Sequence, residues 1–64
     1  MIYKVSYIVQ GGKHPGTIRN EAEYPQVGDV VKIGEHSFEI VEVLELMPPR
    51  YDFAYLHVTC RMLG

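Results

Sequence analysis

The sequence predicts an all-β fold, a small five-stranded antiparallel meander closed or partly closed into a barrel. Three observations carry that expectation. Apolar and polar residues alternate over several short runs, glycine and proline separate the runs at regular intervals, and no segment has a convincing helical period. With 64 residues the chain is expected to form a single domain, residues 1–64. Closing the sheet would remove edges that otherwise expose unpaired backbone groups.

The first strand runs from Ile2 to Val9, where Tyr3, Val5, Tyr7 and Val9 share one side and Lys4 and Ser6 lie between them. That is the period of a half-buried strand. "QGGKHPG" holds three glycines and a proline and reads as a turn or loop. The second strand, Thr17 to Tyr24, sets Ile18, Ala22 and Tyr24 on one side and Thr17, Arg19, Glu21 and Glu23 on a charged, exposed side. Pro25 ends it or marks an edge, and "VGD" supplies a glycine able to take a positive φ before the third strand, Val30 to Ile33. "GEHS" has the length of a hairpin connection with Gly34 as its permissive residue.

The fourth strand is assigned to Phe38 to Leu46, and its parity changes along its length: Phe38 and Ile40 share one face, Val41 and Val43 the other. A bulge near Val41 or Glu42 would let the strand offer apolar residues to two sheet faces. Glu35, Glu39, Glu42 and Glu45 also recur at helical spacing, but the β-branched Ile40, Val41 and Val43 favour the strand. "MPPRYD" is expected to be a stiff loop, since each proline removes a donor and fixes φ. The last strand, Phe53 to Met62, alternates cleanly, with Ala54, Leu56, Val58, Cys60 and Met62 on one side.

The stretch "YPQVGDVVKIGEHSFEIVEVLEL" resembles the hairpin of SH3-like small barrels, in which a "VGD" turn leads into a strand, a tight turn and a long bent strand. The resemblance covers residues 24–46 and implies an SH3-like barrel. Domains of that class bind peptides, nucleic acids or other subunits, so it implies a binding module. The chain has no Trp and lacks the aromatic stretch of peptide-binding SH3 domains, which argues against proline-rich ligands.

Composition narrows the function classes. Six Lys and Arg against eight Asp and Glu give a formal charge of -2, the wrong balance for binding driven by phosphate contacts. The single Cys60 excludes an internal disulfide and fits a reducing compartment. The N-terminus alternates in polarity and does not read as a signal peptide, and no segment is long enough to span a bilayer, so the expected location is the cytoplasm. No enzymatic activity and no cofactor are expected. Ser6 and Ser37 lack a nucleophile motif, Cys60 falls on a core face where a thiol is inert, and Glu39, Glu42 and Glu45 read as solubilising charge. A metal site is not expected either: His57 and Cys60 point to opposite faces of one strand, and His14 and His36 sit in separate turns.

The informative residues are those opposite the core side of the last strand. Phe53, Tyr55, His57, Thr59 and Arg61 would line its outer face. Aromatic residues and Arg are enriched at interface centres, so Phe53, Tyr55, His57 and Arg61 are the candidate contacts for a protein partner or a second copy of the chain. The other reading of the same row is that Phe53 and Tyr55 cover the open end of a strongly curved barrel. Arg50 and Tyr51, held by the diproline, form a second candidate contact region. The alternative function is weak single-stranded nucleic-acid binding, with Phe53 and Tyr55 stacking on bases and Lys13, Arg19, Arg50 and Arg61 meeting phosphates. The glycines of "GGKHPG" with Lys13 and His14 could approach an anion, but no helix follows to supply a dipole.

Overall fold

A computed structural model describes residues 1–12, 14–50 and 52–63, with the backbone alone at 48–50. Among the described residues five strands form one sheet: β1 (Ile2–Val9), β2 (Thr17–Glu21), β3 (Val30–Ile33), β4 (His36–Arg50) and β5 (Phe53–Met62). Their spatial order is β2-β1-β5-β4-β3. The sheet curls into an open half-barrel.

The expected purely antiparallel meander is corrected at one place. β1 and β5 pair in parallel from Ile2–Phe53 to Val9–Cys60, while β1–β2, β3–β4 and β4–β5 are antiparallel. Successive strands alternate in direction, so an odd number of them brings first and last together pointing the same way. That pair lies in the middle of the sheet, whose edge strands β2 and β3 do not pair with each other. The sheet therefore stays open, and the expectations of an all-antiparallel meander and of a closed barrel both fail.

The core is the inner face of the curl. Val5, Tyr7 and Val9 from β1, Phe38 and Ile40 from β4, and Leu56, Val58 and Cys60 from β5 form one buried cluster with Ile33, and Val31 and Val43 pack against it. Even-numbered β5 residues from Ala54 to Cys60 are fully buried; Met62 shares their parity but is 41% exposed where the strand runs past the core.

β4 has the expected bulge. Ile40 pairs with Cys60 and Glu42 with Thr59, leaving Val41 as the extra residue. Its consequence differs from the one expected, because the extra residue returns Val43 to the inner face opposite Val58. "MPPR" is also corrected from loop to strand. β3 covers β4 only as far as Glu39, and the register with β5 shifts between Met47 and Arg50, so the two prolines fall in an irregular stretch of β4 where a missing donor is tolerated.

β2 reverses its expected sidedness. Thr17, Arg19 and Glu21 stand opposite Tyr7, Val5 and Tyr3 on the inner side, and Ile18 is 58% exposed outside. It is also shorter than expected, ending at Glu21. The following "VGD" turn binds β4 instead of β2: Gly28 N donates to Ile40 O and Ile40 N to Asp29 O, each at 2.9 Å. Gly28 and Gly34 take φ of 96° and 63°, as their turn positions require. No helix of the described residues is long and apolar enough to cross a membrane.

Candidate interaction surface

The outer face is set by register. β5 lies between β1 and β4, so each of its outward residues stands in a row with one residue from either side. Lys4, Tyr55 and Met47 form one row, Ser6, His57 and Leu44 the next, and Ile8, Thr59 and Glu42 a third. Ile2 and Phe53 pair at one end. Tyr55, His57 and Thr59 are half-buried by these neighbours, whereas Phe53, Ile8, Met47 and Leu44 are 39–47% exposed.

The candidate residues of the last strand therefore share one surface, except that Arg61 is already committed. It lies opposite Glu39, and its Nε donates to Glu39 Oε1 at 2.7 Å while its Nη2 forms an ion pair with the same oxygen. Such an exposed pair contributes under about 1 kcal/mol to stability, but it neutralises the cation. Phe53 and Tyr55 do not join the buried cluster. The Arg50 side chain, Tyr51 and Lys13 lie outside the described residues.

Sequence reasoning omitted the residues that make the row into a patch. Ile2 and Ile8 were legible, since they fall opposite the core side of the first strand. Leu44 and Met47 were not, because their side depends on where β4 inserts its extra residues.

A second polar arrangement spans the seam between β2 and β3. The Tyr7 hydroxyl donates to Glu21 Oε2 at 2.9 Å, the Arg19 guanidinium lies 5.3 Å from the Tyr7 ring centre, and Arg19 Nη2 donates to Lys32 O at 2.9 Å. Arg19 thus bridges two edges that share no backbone ladder. Its Nε is buried without a hydrogen-bond partner among the described residues. Burial, then the bond to Glu21 and the charge of that carboxylate, hold the Tyr7 phenol protonated well above its ordinary range. Beside the bridge is a cleft of about 230 Å³ whose lining includes Tyr7, Glu21, Tyr24, Asp29 and Ile40.

The loops also meet in a way that sequence spacing did not reveal. His14 and His36 pack edge to face at 6.0 Å, with His14 5.0 Å from the Phe38 ring. His14 Nδ1 accepts from Gly16 N at 3.1 Å, so one ring nitrogen is engaged in the loop. Among the described residues no three His, Cys, Asp or Glu side chains converge as metal ligands. Cys60 is buried, with its Sγ 3.5 Å from Ile8 O, and desolvation pushes its thiol pKa up, away from the range of a reactive thiolate.

Compared with known proteins, the chain matches no family model, no curated protein and no solved structure.

Proposed function

We propose that the chain is a non-enzymatic interaction module that binds a protein, or another copy of itself, through the outer face of β1, β5 and β4. The observation that carries this reading is the contiguity of Ile2, Phe53, Tyr55, Met47 and Leu44 across three hydrogen-bonded strands. Scattered apolar residues on a surface are ordinary, whereas a contiguous patch marks a contact site. The sheet also holds its rings in place, so little ordering is needed on binding.

Single-stranded nucleic-acid binding remains the weaker reading. Two of the cations it needs have internal partners, Arg61 on Glu39 and Arg19 across the seam. The two are separated by salt. Phosphate contacts make affinity fall steeply as salt rises, and an apolar protein contact makes it nearly flat.

The test compares the parent chain with Tyr55→Glu and Leu44→Glu, each checked for folding by circular dichroism, and with Lys32→Glu as a control. Association with protein, measured by cross-linking and mass, should be lost in the first two and kept in the control. Association unchanged in both patch variants would refute the reading.

A further inference from the structure

Resting on the surface reading above, we infer that the partner on this face is a second copy of the chain, seated about a two-fold axis with its strands crossing the first copy's at near right angles. The argument begins from charge. Among the described residues the one salt bridge is Arg61–Glu39. Lys4 and Glu42 therefore stand without an ion-pair partner among them, at opposite corners of the three-by-three grid centred on His57.

Face-to-face packing of two identical patches needs a two-fold axis lying in their common plane, which sets each grid position over its mirror image across that axis. Four simple axes pass through His57. The axis along β5 sets Lys4 over Met47 and Glu42 over Ile8. The axis across the strands sets Lys4 over Ile8 and Glu42 over Met47. Both bury unpaired charge against apolar side chains. The diagonal through Lys4 and Glu42 sets each charge over its own copy.

Only the other diagonal, from Met47 through His57 to Ile8, is complementary. Lys4 then faces Glu42 of the second copy twice, Tyr55 faces Leu44, Ser6 faces Thr59, and Met47 and Ile8 meet their own counterparts. Strands lie about 4.8 Å apart and alternate residues about 6.7 Å apart. The mirror is therefore inexact by about 3 Å at Lys4, which a lysine side chain spans.

Curvature favours the same solution. A curled, twisted sheet is convex across its strands and hollowed along them, so two such faces seat best when their strands cross, one of the two ways sheets pack. Edge-to-edge association along the part of β4 that β3 leaves uncovered is disfavoured, because that segment is irregular against β5 and carries Pro48 and Pro49. The patch is small for a stable dimer, so the dissociation constant should be on the order of micromolar or weaker.

Sedimentation equilibrium from about 1 μM to about 1 mM brackets that affinity. The parent should pass from 7.3 kDa to twice that mass. Lys4→Glu and Glu42→Lys should each weaken dimerisation by roughly tenfold or more, since each sets like charges face to face, and the double variant should return to within about threefold of the parent. Tyr55→Glu should abolish it. A parent that is monomeric throughout, or a double variant no tighter than the singles, overturns the inference. If the parent is monomeric yet keeps a different protein partner that Tyr55→Glu loses, the second copy is refuted while the interaction surface stands. If Tyr55→Glu changes nothing, both fall.

Discussion

Tyr7 ties the core to the β2 side of the open seam: its ring lies in the core, its hydroxyl reaches Glu21, and Arg19 of the same strand rests on its face. Removing the hydroxyl with Tyr7→Phe should cost about 1 kcal/mol, the usual worth of one part-buried hydrogen bond. Arg19→Met keeps the stem but loses the guanidinium, and should destabilise by about 1–2 kcal/mol and speed amide exchange in β2 and β3 selectively. Uniform acceleration over all strands would refute the bridging role. Gly16 is the other sensitive position. It takes φ of 74°, and an added Cβ would lie 2.2 Å from the Tyr7 carbonyl oxygen. Gly16→Ala should therefore cost about 2 kcal/mol or more in denaturant unfolding, and a change below about 0.5 kcal/mol would show that the loop can move away. The sequence identified "QGGKHPG" as a loop, but not that one of its glycines is pressed against the strand it leaves, since that contact is made in space.

At the scale of elements, β4 is the one whose details matter most. Because Val41 is the residue without a partner in β5, deleting it should leave the pairs Ile40–Cys60 and Glu42–Thr59 intact and straighten the strand. Expected is a loss of about 1–2 kcal/mol from its half-buried side chain, with Val43 still facing Val58 in cross-strand NMR contacts. Transfer of Val43 to solvent would contradict the register. The bulge was legible as a parity break between Ile40 and Val41, while β2 was misread because it holds apolar and charged residues in equal alternation. Either side of such a strand can be buried, and the choice fell to Arg19 and Glu21 because Tyr7 and the Lys32 carbonyl supplied their partners.

The whole molecule is small, elongated at 38 × 19 × 17 Å, and stabilised by few buried side chains. A domain of this length is expected to be stable by roughly 3–10 kcal/mol. Phe38→Ala, which empties the centre of the core, should remove about 3–5 kcal/mol of that and leave a large unfolded fraction on mild warming. Stability should also fall in alkali. Tyr7 and Cys60 are both held protonated in the folded chain above their ordinary values of 10.0 and 9.0. Below pH 9.0 folded and unfolded chains bind these protons equally, and the two groups impose no slope. As pH rises past 9.0 and then 10.0 the unfolded chain releases protons that the folded chain retains, so stability declines. Tyr7→Phe should remove the steeper part of the decline above pH 10.0; an unaltered slope in that variant would show that Tyr7 ionises freely in the fold.

By itself the sequence determined the all-β class, four of the five strand positions within a few residues, the bulge and the two faces of β5, because each rests on the local alternation of side chains and on turn residues that act over short distances. Which strands became neighbours was decided only in three dimensions. The parallel β1–β5 pair, the open β2–β3 seam with its arginine bridge, and the joining of Leu44 and Met47 to Tyr55 all depend on how the sheet curls, and curling is a property of the assembled strands that no single segment encodes.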